Sequence, residues 1–137
     1  MTDAVDATSG TALVDLAQLA ARLEQFADER DWAQFHSPKN LVMALTGEVG
    51  ELNEIFQWMS EAASKDAGRD VQTARAVQDE LADVLLYLVR LSSVLGIDLD
   101  AAVQQKLKDN AMRYPAEKVR GSSKKHGQPE SDESGKN

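Results

Sequence analysis

The sequence predicts an all-α protein built from four helices with an oligomeric core, and three observations carry that expectation. Apolar residues recur every three or four positions through most of the chain, which is the spacing of one helix face. Good helix formers dominate, with 42% hydrophobic residues and only three prolines among 137 residues. One stretch, from about 74 to 95, is apolar over so much of its circumference that a chain this small needs further copies to cover it.

Residues 1–10 are small and polar and read as a flexible N-terminus. From Thr11, the residues Leu13, Leu16, Leu19 or Ala20, Leu23 and Phe26 keep the period of an amphipathic helix that ends near Arg30. Asp31 to Ser37 breaks the period and gathers Trp32, Phe35 and His36, in a chain with only two Trp, two Tyr and three Phe. Such a cluster either plugs the end of a helical core or offers π faces to a flat base. Ser37-Pro38 then starts a second helix, with Ser as the cap and Pro at the first helical position, running to about Ser60. Gly47 and Gly50 each cost that helix about 1 kcal/mol relative to Ala, so a neighbouring helix or a ligand is expected to approach their face closely.

Glu61 to about Asp70 reads as a mobile connection. In the third helix Ala74, Val77, Leu81, Val84, Leu88, Leu91 and Leu95 mark a packing seam. Leu85, Leu86, Val89 and Val94 widen it into the surface expected to meet other copies. Gly96 ends the helix. Asp98 or Asp100 caps a fourth helix that turns Leu99, Val103 and Leu107 inward and stops before Pro115. Lys106, Asn110 and Arg113 share one face of it, either a solvated stripe or a ligand-binding edge. Residues 116–137 are nearly free of apolar side chains and read as a disordered tail, so the domain is expected to span 11–115.

Composition narrows the functional classes. Without cysteine, disulfides and thiolate metal sites are excluded. The longest apolar run, Val84 to Val89, is far too short to span a bilayer, and no charged-then-apolar leader opens the chain, so a cytoplasmic location is expected. A formal charge of −8 disfavours a nucleic-acid polymer as partner. A single nucleotide is compatible with that charge if metal ions supply the positive charge.

The chemistry concentrates in two acid pairs. Glu48 and Glu51 lie three apart on the second helix, and Glu80 and Asp83 lie three apart on the third after 28 intervening residues from Glu51. Each pair shares a helix face beside apolar neighbours. Carboxylates so placed repel one another unless a cation neutralises them, whereas the bland alternative is an ordinary solvated helix face. Four oxygen ligands suit Mg²⁺, with Mn²⁺ able to substitute. A di-iron bundle wants Glu-x-x-His, and neither His36 nor His126 has an acid three residues before it. A non-catalytic helical interaction protein is the remaining competitor, and it leaves the pairing of the acids without a reason.

The spaced ExxE and ExxD resemble the all-α nucleoside triphosphate pyrophosphohydrolases, the MazG-like superfamily. Arg30-Asp31-Trp32, Phe35-His36, Pro38, Asn40, Gly47 to Leu52, Phe56-Gln57-Trp58, Tyr87-Leu88-Val89 and Arg113-Tyr114-Pro115 resemble its dCTP pyrophosphatase branch in particular. Gly47 stands where many MazG-type members carry a glutamate, a departure that resembles the same branch. The resemblance covers roughly Leu16 to Pro115 and implies a MazG-like four-helix bundle in a homotetramer. It also implies Mg²⁺-dependent cleavage of a pyrimidine deoxynucleoside triphosphate, dCTP or a base-modified relative, to monophosphate and pyrophosphate, a role in nucleotide-pool sanitation. Glu48, Glu51, Glu80 and Asp83 are then the metal ligands. Trp32, His36, Asn40, Trp58, Tyr87, Asn110 and Tyr114 are implied near the nucleotide, with Lys39 and Arg113 as phosphate partners.

Overall fold

The computed structural model describes residues 14–123, and among them every regular element is helical. The expected N-terminal segment, the helix start at Thr11 and Leu13, and the tail beyond 123 with His126 lie outside the described residues. The chain divides into two compact units, one up to Leu99 and one from Asp100.

In the first unit, α1 (Leu16–Glu29) begins where the Asp15 carboxylate accepts the backbone N–H of Gln18 at 3.0 Å. It ends in a Schellman motif. Asp31 takes a left-handed conformation (φ 53°), Trp32 N–H donates to the Ala27 carbonyl at 2.9 Å, and Asp31 N–H donates to that of Asp28 at 3.1 Å. The Gln34 side chain, donating to Asp31's carbonyl and carboxylate, holds this non-glycine residue where a β-carbon is disfavoured. The apolar contact that accompanies such a motif is Trp32 against Phe26, edge to face at 5.7 Å.

A single 3₁₀ turn (Ala33–Phe35) leads to α2 (Pro38–Phe56), whose Ser37 hydroxyl accepts the Asn40 N–H at 3.2 Å with Pro38 in the first turn. The Glu61–Asp70 segment is more ordered than its composition predicts. It contains the short α3 (Glu61–Ser64), capped by Ser60, and the Thr73 hydroxyl donates to the carbonyl of buried Ala67 at 2.7 Å. The long α4 (Ala74–Val94) packs against both α2 and α1. It closes with a second Schellman motif, in which Gly96 (φ 67°) is the left-handed residue and Ile97 N–H reaches the Ser92 carbonyl at 2.9 Å.

Among the described residues the fully buried interior is small: Ala27, Leu41, Ala67, Val77, Val89 and one charged residue, Arg90. The expected intersubunit surface on α4 changes accordingly. Val89 is 2% exposed and Leu85 and Leu86 are half-buried within the chain, because α1 and α2 cover that side. The apolar side chains left open are Leu81, Leu88, Val94 and Leu95. No side chain comes within 4 Å of where a β-carbon would stand on Gly47 or Gly50, so the expected close approach to that face is not made within the chain.

The second unit carries α5 (Leu99–Arg113) and the short α6 (Ala116–Val119). Val103 and Leu107, expected to point inward, are exposed at 47% and 63%. No helix among the described residues is long and apolar enough to cross a membrane.

Candidate metal centre and nucleotide pocket

Helices α2 and α4 lie side by side, and their register brings the two acid pairs together. One carboxylate oxygen from each of Glu48, Glu80 and Asp83 lies within 4.8 Å of the others. Glu51, one turn along α2, is exposed at the margin of this group and acts electrostatically on both Glu48 and Glu80. The Oε2 atoms of Glu48 and Glu80 are out of contact with water and accept no hydrogen bond, although each residue as a whole is only half-buried.

That arrangement is costly for anions. Burial, then the neighbouring carboxyls of Glu51, Glu80 and Asp83, pushes the Glu48 carboxyl up to about 7. Burial first, and then Glu51 and Asp83, also raises Glu80, while the contact with the Glu48 carboxyl works in the opposite direction. Two carboxyls this close approach only when a proton lies between them or a cation binds both. Two buried acceptor atoms without donors, in an all-oxygen cluster, have the chemistry of a site for a hard divalent cation.

One or two turns further along α4, on the same face as Asp83, stand Leu86, Tyr87 and Arg90. With Leu23, Phe26, Trp32 and His36 from α1 and the turn after it, they and Asp83 line a cavity of about 160 Å³. Clefts that enclose drug-sized ligands measure about 300–1,000 Å³, so this cavity suits one ring system rather than a whole nucleotide. Asp83 belongs to both the acid cluster and the cavity. Trp32 and His36 meet edge to face at 6.5 Å, and Arg30 lies 3.5 Å above the Phe26 ring. At 44% exposure Trp32 is no core plug and keeps part of its surface open for stacking.

The remaining sequence candidates separate. Asn40 uses its side-chain N–H to hold the Phe35 carbonyl at 3.1 Å, which fixes the aromatic turn. Lys39 is exposed in the first turn of α2. Trp58, 90% exposed, follows the C-terminus of α2, whereas Trp32 precedes its N-terminus. A helix of 19 residues is about 28 Å long, so Trp32 and Trp58 of one chain do not face each other across a single base. Asn110, Arg113 and Tyr114 lie in the second unit, with Asn110 and Arg113 exposed and Tyr114 half-buried.

The residue that sequence reasoning passed over is Arg90. Only 8% exposed, it donates from Nε to Nδ1 of His36 at 3.1 Å and forms no ion pair among the described residues. Burial, and then the Arg90 charge, holds the His36 imidazole below its ordinary range. Its signal in the sequence was a lone cation in the apolar run of α4, three residues from Tyr87 and seven from Asp83.

Fold and site together define a class: an all-α protein with a carboxylate cluster between two central helices and an aromatic cavity opening beside it. The chain belongs to the MazG-like family, whose sequence model matches residues 44–128, more than half of the chain. It is 47% identical over 114 residues to human dCTP pyrophosphatase 1, an alignment covering 83% of this chain and 65% of that protein. With the bovine protein of the same name it shares 44% identity over 119 residues, covering 87% and 69%. The chain thus spans about two thirds of the length of these curated relatives. Its fold is similar to the crystal structure of a pyrophosphatase from Archaeoglobus fulgidus, with a TM-score of 0.69 and 36% identity over 77% of this chain and 96% of that one.

Proposed function

We propose that the protein is a divalent-metal-dependent nucleoside triphosphate pyrophosphohydrolase that cleaves a pyrimidine deoxynucleoside triphosphate, dCTP or a base-modified relative, between its α and β phosphates. The observation that carries this reading is the pair of buried, unpartnered oxygens on Glu48 and Glu80, in a cluster that shares Asp83 with an aromatic cavity of one-ring size. The names of the relatives support the same chemistry.

Glu48, Glu51, Glu80 and Asp83 would hold the cation, with Mg²⁺ the best match to an all-oxygen donor set and Mn²⁺ a substitute. Bound there, it would supply charge neutralisation for the triphosphate and Lewis acidity for the attack of water. The chain's own part is positioning. The four carboxylates, fixed on two packed helices, set where the phosphates lie, and the ring cavity beside Asp83 fixes the sugar and base relative to them. No nucleophilic side chain is required. Tyr87 and His36 offer polar groups to the base, Trp32 offers a stacking face, and Lys39, Asn110, Arg113 and Tyr114 are taken as further nucleotide contacts.

The catalytic unit is taken as a MazG-like four-helix bundle over residues 11–115 that works as a homo-oligomer, a tetramer by family resemblance. Open apolar side chains on α4, the unapproached face of Gly47 and Gly50 and the exposed Trp58 support an assembly in which other copies cover these surfaces. A base stacked on both tryptophans would then receive Trp32 from one copy and Trp58 from another. We place the activity in the cytoplasm, acting on free nucleotides in pool sanitation. Initial rates with dCTP, 5-methyl-dCTP, dTTP, dUTP, dATP and dGTP at equal concentration test the substrate class. Preference for the cytosine nucleotides is expected, and equal cleavage of the purine triphosphates would overturn it.

A further inference from the structure

The cavity beside Asp83 contains a histidine whose protonation is dictated by a buried neighbour. Arginine only donates hydrogen bonds, so the 3.1 Å contact from Arg90 Nε obliges His36 Nδ1 to be the acceptor. A neutral imidazole carries one proton, and with Nδ1 committed as a lone pair that proton resides on Nε2. The doubly protonated ring is excluded by the same contact, because it would place two donors against each other beside a buried cation. His36 Nε2 accepts or donates no hydrogen bond among the described residues, and the ring lines the cavity. The site therefore holds an N–H donor of fixed direction and no alternative acceptor on that ring.

Cytosine and thymine differ in what they present to such a donor. Cytosine N3 is an acceptor flanked by the acceptor O2, whereas N3 of thymine or uracil carries a proton. With N3 of the base seated against His36 Nε2, a fixed N–H pairs with cytosine and meets a second N–H in thymine or uracil, and an unpaired donor in a desolvated site is penalised strongly. We propose that Arg90 is a positioning residue that locks His36 in its Nε2–H tautomer, and that the base seats its N3 against this N–H, so that the cavity selects cytosine over thymine and uracil. This rests on the reading of the cavity as the base site, and extends it to a residue that acts through His36.

The test combines a spectroscopic and a binding readout on the full chain. In ¹⁵N-labelled wild type, His36 should show an unprotonated Nδ1 and a protonated Nε2 at neutral pH, with His126 assigned by His126→Gln. Arg90→Met should release this preference and lower the ratio of binding constants for the non-hydrolysable α,β-imido analogues of dCTP and dTTP by about tenfold or more. Arg90→Lys, which keeps a donor, should retain part of the ratio. In His36→Gln the ratio should collapse, and adding Arg90→Met to it should lower it no further, as expected when one residue acts through the other. A protonated Nδ1 in wild type, an unchanged ratio in a folded Arg90→Met, or additive losses in the double variant would each overturn the proposal. The wild-type spectrum decides even if the Arg90 variants do not fold. Failure of the enzymatic reading is separately visible, as wild type that binds the cytosine analogue but releases no pyrophosphate from dCTP.

Discussion

Glu48→Gln should stabilise the metal-free protein at pH 8 while destroying its response to Mg²⁺. In the unfolded chain Glu48 ionises near its ordinary 4.5, whereas in the fold it keeps its proton to about 7. Between those values the folded state binds more protons than the unfolded one, so stability falls as pH rises through this window and the penalty is complete above it. At full strength such a displacement corresponds to about 3 kcal/mol. Glu48 stands in a cluster that opens to water, and screening leaves about 1 kcal/mol. For a chain of this size that is about 3–5 °C in Tm. Thermal unfolding of wild type and Glu48→Gln in excess chelator, at one protein concentration, should show the variant higher by this amount at pH 8 and level with wild type at pH 5. With Mg²⁺ the order should reverse at pH 8, because the cation binds the native carboxylate and not the amide. A variant less stable than wild type at pH 8 in chelator, or a gap that ignores pH, would refute the argument that the Glu48 charge is uncompensated.

Two further outcomes are expected. Light scattering at micromolar concentration should report an oligomer, and Leu81→Glu with Leu88→Glu on the open side of α4 should dissociate it; a monomeric wild type would leave these side chains without a cover. Cutting Trp32 or Trp58 to Ala should lower kcat/KM for dCTP about ten- to a hundredfold, since base stacking is worth about 1–3 kcal/mol, and Mg²⁺ should still raise the Tm of both variants. If both tryptophan variants keep wild-type kinetics, stacking is not how the base is held.

The residues that were legible in the sequence are those whose role is local. The acid spacing put Glu48 with Glu51, and Glu80 with Asp83, on one face of each of two helices, and oxygens of Glu48, Glu80 and Asp83 converge while Glu51 stays exposed beside them. Ser37-Pro38 and Gly96 marked their helix ends because capping and left-handed geometry depend on residue type over a few positions. Asp31 performs the same task as Gly96 without being glycine, held by Gln34, so the tight turn that aims Trp32 at Phe26 left no comparable mark. Arg90 escaped for a different reason: its partner His36 is 54 residues away, and no local rule links them. Trp58 was set near the nucleotide together with Trp32 by family resemblance, and the length of α2 separates the two within one chain. The expected inward face of α5 failed similarly, since the period of Leu99, Val103 and Leu107 says which side is apolar but not whether the chain itself covers it.

The central claim, cation-dependent cleavage between the α and β phosphates by the acid cluster, is tested most directly by following dCTP with ³¹P NMR in the presence of Mg²⁺. Wild type should yield dCMP and pyrophosphate in equal amounts, and excess chelator, Glu51→Gln or Asp83→Asn should stop the reaction while the helical circular dichroism persists. Release of orthophosphate with dCDP, or undiminished turnover in chelator or in either variant, would contradict the account.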